Sequence, residues 1–194
     1  MELFKKTRLK IGKAMLVRKT ARTKRKVHYS NISEVKKIGI VWDASKSQEF
    51  TSLSRFHQKM SEKNIEVKIF GYFPGKSLPD QYTAIRFLTC IKDDELNFFY
   101  HPASSESTIF IQQRFDVLID INFDKLLPLY YISSLSDAGF KVGLLESEST
   151  YAPFDLMMEI KTPVDVDTYL VQILQYLEMI NAETVKSVKK QKHE

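Results

Sequence analysis

The stretch FDVLIDINFDKLLPLYYISSLSDAGFKVGLL, residues 115–145, decides the fold. It opens on Phe115-Asp116-Val117-Leu118-Ile119-Asp120-Ile121, an apolar run ending at Asn122. Such a run suits a strand buried on both faces. Residues 124–138 read as a helix, and Gly139 stands where a helix end takes a left-handed residue. Phe140 to Leu145 is a second strand. Strand, helix and strand over about thirty residues make a βαβ unit, whose two strands run parallel.

The same order recurs upstream. Val35 to Trp42 is a strand with Asp43 at its end, and a helix follows from about Ser47, with Phe50, Leu53, His57 and Met60 at helical spacing and Asn64 at its close. Ile65 to Phe70 is the next strand, closed by Gly71 and the Pro74-Gly75 turn. In the middle, Phe87 to Ile91 is a short strand, Leu96 to Tyr100 is apolar but irregular, and Ser104 to Gln113 is a short helix capped by Ser104 or Ser105. Phe154 to Ile160 is the last strand. The closing helix takes Thr162 as N-cap and Pro163 as first helical residue, with Val166, Tyr169, Leu170, Ile173, Leu174, Leu177 and Ile180 as its apolar stripe. The chain has 194 residues, a length that suits one domain. The expected fold is therefore a single Rossmann-like, three-layer α/β domain at 35–182 with a mostly parallel sheet. A basic N-terminal helical arm, 1–34, precedes it and a basic tail, 183–194, follows.

Charge is segregated along the chain. Residues 1–37 carry thirteen Lys/Arg and two Glu, a net +11; residues 38–183 carry a net −9; residues 184–194 add +3. The dense part is Lys5, Lys6, Arg8, Lys10, Lys13, Arg18, Lys19, Arg22, Lys24, Arg25 and Lys26. On a helical wheel, Leu3, Phe4, Thr7, Ile11, Ala14 and Met15 share one face, and Gly12 weakens the helix. Three readings stand for this arm. It packs on the acidic body, or it contacts structured RNA through phosphates, or it lies on an anionic membrane surface. Only Phe4 and Tyr29 interleave with the basic residues, so a single-strand stacking platform is disfavoured.

The body offers few groups for chemistry. Cys90 is the sole cysteine and lies in an apolar stretch, so no internal disulfide or multi-cysteine metal site is expected. The four histidines are scattered, and His101 beside Pro102 reads as a lone surface histidine. No metal, cofactor or catalytic residue is assigned. The N-terminus lacks the apolar core of a signal peptide and no run is long enough to span a bilayer, which makes the cytoplasm the expected location. In open α/β sheets ligands bind beyond the carboxyl ends of the strands, a rule that selects Asp43, Ser45, Asp120 and Asn122, with Gly71 and Tyr72 beside them. The competing role for these residues is to cap turns and helices. The first crossover, Trp42-Asp43-Ala44-Ser45-Lys46-Ser47, contains no glycine, so it is neither a dinucleotide fingerprint nor a P-loop.

Residues 115–143 resemble a segment of the heptosyltransferase glycosyltransferases, through Ile119-Asp120, the helix Ser133 to Ala138, and Lys141-Val142-Gly143. That resemblance implies a Rossmann-like half; the glycine-containing first loop of those enzymes is replaced here by WDASKS and their donor-binding domain is missing. From the basic arm through FDVLID, PLYYISSLSDAGFKVG and FDLMMEI, the chain is similar to an uncharacterised bacterial family, a domain of unknown function. That similarity implies a bacterial cytoplasmic protein. The leading expectation is a non-enzymatic accessory protein whose arm contacts RNA, on ribosomal particles for example. Its alternatives are a small-ligand-binding or transferase-like domain using the strand-end groove, and a membrane-surface interaction module. Oligomeric state is left open.

Overall fold

The computed structural model describes residues 2–145, 153–159 and 165–180. Six strands, β1 (Lys37–Asp43), β2 (Glu66–Phe73), β3 (Leu88–Lys92), β4 (Val117–Asp120), β5 (Phe140–Leu144) and β6 (Leu156–Met158), form one sheet in the order β3-β2-β1-β4-β5-β6. Every pairing is parallel. The helices are α1 (Glu2–Thr20), α2 (Phe50–Glu62), the single turn α3 (Asp80–Thr83), α4 (Ser105–Gln112), α5 (Leu127–Leu135) and α6 (Val166–Met179). This is the strand order of a Rossmann sheet, in which the chain reverses its direction of travel between β1 and β4.

Alternation along the strands divides the core into two layers. Ile38, Ile40 and Trp42 of β1, with Val117 and Ile119 of β4, face α2 and α6. Val41, Phe70, Tyr72 and Leu118 face the other way, towards α1, α4 and α5. Central strands buried on both faces require the continuous apolar runs that the sequence contains. Trp42, Phe50 and Tyr82 pack together on the first side, with ring centroids 5.4–5.8 Å apart.

Several element boundaries differ from expectation for identifiable reasons. β2 continues through Gly71, because that glycine serves packing: a Cβ there would meet Ala44 Cβ at 3.2 Å and Cys90 Sγ at 3.3 Å. Helix α5 is shorter than 124–138. Asn122 closes a turn onto Leu126, Lys125 takes a positive φ of 55°, and the helix ends at Leu135, four residues before Gly139. Gly139 has no left-handed φ; its N–H donates to Phe115 O and leads into β5. Helix α6 is capped by Asp165, whose carboxylate accepts from the Thr168 N–H. Thr162, Pro163, Ile160 and the tail 183–194 lie outside the described residues. Ser104 caps α4 by accepting from the Ser107 N–H.

The largest correction concerns α1. It is docked on α5 through a stripe at i, i+4 spacing: Gly12, Leu16 and Thr20 are buried, and Arg8 is half-buried. Burying a leucine such as Leu16 stabilises the contact by about 2 kcal/mol. The face expected to be apolar points outward instead, with Phe4, Ile11 and Met15 exposed. Leu3's side chain lies outside the described residues. Close approach decides the orientation, since only the stripe containing Gly12 lets the helix touch the Phe99 carbonyl.

Candidate functional site

The four strand-end residues all reach the carboxyl edge of the sheet. Asp43 and Asp120 project from neighbouring strands beside the β1/β4 reversal, and Val41 pairs in register with Asp120. Their carboxylates are occupied locally. Asp43 Oδ1 accepts from the Ser45 N–H at 3.0 Å and the Ser45 hydroxyl at 2.7 Å. Asp120 accepts from the Asn122 N–H at 2.8 Å and from the Ser133 hydroxyl. Asn122 holds Leu126 by both ends of its amide, at 2.8 and 3.0 Å. Lys46 bridges the two loops through Asp124 at 2.7 Å. Asp120 and Asn122 border a void of about 20 Å³. These residues build the edge on which a site stands.

The larger space at that edge is a cleft of about 750 Å³, formed where α1 crosses the ends of β2, β3 and β4. Lys5, Arg8, Leu9 and Lys13 line it from the helix; Tyr72, Asp93, Asn97, Phe98, Tyr100 and Lys125 line it from the sheet side. Among the described residues, four cations thus surround one carboxylate. Asp93 already accepts from the Tyr72 hydroxyl, and burial and that bond together push the Tyr72 phenol well above its ordinary value. Arg8 is fixed in place. Its Nε donates to Phe98 O at 2.7 Å, and its guanidinium lies 4.2 Å over the Phe98 ring and 4.5 Å over Tyr100.

The cleft wall carries backbone strain. Asn64, Tyr100 and Lys125 are the described non-glycine residues with positive φ, and the last two border the cleft. Asn64 follows α2, where a left-handed residue is ordinary. For a bulky residue such as Tyr100, at φ 62°, that conformation is an outlier held by its surroundings. Asn97 supplies the hold by accepting from the N–H groups of Phe99 and His101 at 2.9 and 3.1 Å.

His101 is a buried tether and not a surface histidine. Its Nε2–H donates to Gly12 O at 2.9 Å, and its ring packs on Tyr131. Burial holds its pKa below the usual value, so the neutral ring joins α1 to the body at neutral pH.

The eleven basic residues of the arm separate into groups. Arg8, Lys19 and Arg25 are built into the fold, Lys19 on the Tyr131 hydroxyl and Arg25 on Asp155 and the carbonyls of Ala138 and Gly139. Lys5 and Lys13 border the cleft. Lys6, Lys10, Arg18, Arg22, Lys24 and Lys26 are exposed, and none of them is ion-paired among the described residues. Among the described residues, no group of three His, Cys, Asp or Glu side chains stands close enough to hold a metal ion.

A family model matches residues 8–180, from within α1 to the residue after α6. The chain belongs to DUF6913, a family of unknown function. In this DUF6913 chain the matched span takes in the helix over the cleft as well as the sheet beneath it. No curated protein matches the chain.

Proposed function

We propose that the protein binds an anionic small molecule in the cleft under α1, a phosphate ester or carboxylate with an apolar or aromatic part. The observation that carries this reading is the convergence of Lys5, Arg8, Lys13 and Lys125 on one cavity whose one carboxylate among the described residues, Asp93, is engaged by Tyr72. Its volume falls in the range of ligand pockets, about 300–1,000 Å³. Its place beyond the strand ends is where this sheet type takes ligands. The strained Tyr100 and Lys125 agree with a preformed wall. Leu9, Leu96 and Phe98 supply the apolar contact.

Native mass spectrometry of the purified protein, followed by thermal shift with AMP, glucose 6-phosphate and a short-chain fatty acid, tests it. A bound anion, or a rise in melting temperature lost in the K5A/K13A variant, is the expected result. No adduct, with no anion-dependent shift in the wild type, would overturn it.

RNA contact is a second reading, favoured by the six outward cations Lys6, Lys10, Arg18, Arg22, Lys24 and Lys26. Removing residues 1–34 is a poor test, because it uncovers Leu127, Tyr131 and His101. The K6E/K10E/R18E/R22E variant keeps the docked stripe. RNA affinity should fall with salt at a log–log slope of roughly −0.7 to −0.9 per phosphate neutralised, and the variant should flatten that slope. Equal binding by both proteins would remove this reading. We take the protein to act in the bacterial cytoplasm; no described helix is long and apolar enough to cross a membrane.

A further inference from the structure

A second cavity, of about 210 Å³, lies between the end of α1, the end of α5 and strand β5. Thr20, Thr23, Arg25, Ser134, Ser136, Lys141 and Asp155 are among the residues around it, and none of them lines the larger cleft. Lys141 is the unusual member. It is 2% exposed, on the sheet face that α5 covers, and its ammonium donates to Ser134 O at 3.0 Å. A lysine has three donors, and the nearby carboxylate is engaged elsewhere. Asp155 receives the Arg25 guanidinium and the backbone N–H of Lys141.

Further donors belong to residues that border the same space. Ser134 Oγ is buried and has no hydrogen-bond partner among the described residues. Ser136 Oγ accepts from the Ala138 N–H, which leaves its own proton to give. A buried hydroxyl left without a partner is costly. Arg25 takes up Asp155, and among the described residues no carboxylate stands within ion-pair distance of the Lys141 ammonium. An acceptor-only, negatively charged group satisfies the hydroxyls and the charge together. The cavity is several times the roughly 30 Å³ that one water takes up in the liquid. Burial and the Arg25 charge hold Lys141 down to about 7 against the opposite pull of Asp155 and Asp137.

We propose that this cavity is a binding site for a small inorganic oxyanion of the phosphate class, held by Lys141, Ser134 and Ser136 beside the Arg25–Asp155 pair. It is separate from the cleft of the proposed function and stands or falls independently.

The test uses the full chain in phosphate-free buffer. Inorganic phosphate, sulfate and acetate are titrated at matched ionic strength, with binding followed by calorimetry and the Lys141 side chain by NMR. Phosphate should bind saturably and raise the Lys141 titration midpoint from about 7. S134A should weaken binding about fivefold, one hydrogen bond's worth, and K141M should abolish it. K5A/K13A should leave it intact, which separates this site from the cleft. A Lys141 titration unmoved by saturating phosphate would overturn the proposal, as would phosphate binding unchanged in S134A. Both readouts hold even if K141M fails to fold.

Discussion

Replacing Gly12 by alanine should destabilise the protein, against the ordinary preference of a helix. In an exposed helix interior, Gly→Ala gains about 1 kcal/mol. At Gly12 the added methyl would stand closer than 3.0 Å to the Phe99 carbonyl oxygen and 3.1 Å from Leu127 Cδ2. The leucine tip can swing aside, but Phe99 belongs to a turn pinned by the Asn97 side chain. The helix must therefore lift. Lifting lengthens the His101–Gly12 hydrogen bond and leaves a buried imidazole N–H short of a partner, a loss of about 1–3 kcal/mol. Overpacking adds about 1–3 kcal/mol. After the helix-propensity gain is set against these terms, the net loss is about 1–5 kcal/mol. With a urea m-value of about 2 kcal/mol/M, the unfolding midpoint falls by about 0.5–2.5 M. Ala14→Gly, at an exposed position of the same helix, should also cost about 1 kcal/mol. Opposite substitutions in one helix would then both destabilise. A Gly12→Ala midpoint at or above wild type would refute the close-approach account of how α1 is seated.

Two further predictions follow from buried groups. Lys141, held near 7 by burial and by Arg25, binds its proton less readily in the folded chain than at the ordinary lysine value of 10.5. The unfolded state therefore carries more protons between those limits, and stability rises with pH from about 7 towards 10.5 by up to about 1.4 kcal/mol per pH unit. In phosphate-free buffer, urea midpoints of wild type and K141M should diverge in slope between pH 7 and 9; parallel slopes would refute the assignment. Burial pushes the Cys90 thiol up to about 12. Native protein at pH 8 should then react with a disulfide reagent on the order of a thousandfold more slowly than the urea-unfolded chain. Comparable rates would show that the thiol is accessible and ionised.

The sheet was legible wherever burial on both faces forced an uninterrupted apolar run, as in IGIVW at 38–42 and FDVLID at 115–120. Its edge was less so. β3 spans five residues, and the link from β2 contains only the one-turn helix α3, too short to impose a helical period. Helix α1 misled because apolar residues lie on two of its faces, and hydrophobicity alone cannot choose between them. The choice rests on small residues that permit contact, Gly12 above all. Asp43 and Asp120 stand at the strand ends as the topology rule requires, yet their carboxylates are taken by Ser45, Asn122 and Ser133. The cleft's cations were visible only as charge density. Their sorting into structural, cleft-lining and outward groups depends on which side of α1 meets Phe99, a contact 87 residues distant along the chain that no local pattern encodes.

The docking of α1 also sets an order of assembly. The helix leaves the ribosome well before the surfaces that receive it, Phe99, His101, Leu127 and Tyr131, are made; 112 residues separate Lys19 from Tyr131. At about 5–20 residues per second, that interval is roughly 5–20 s. A lone helix of this length, interrupted by glycine, is marginal in water. The N-terminal segment therefore passes its first seconds as an open, cationic ribbon beside a polyanionic ribosome. It closes, once α5 is made, over a sheet whose strands it preceded.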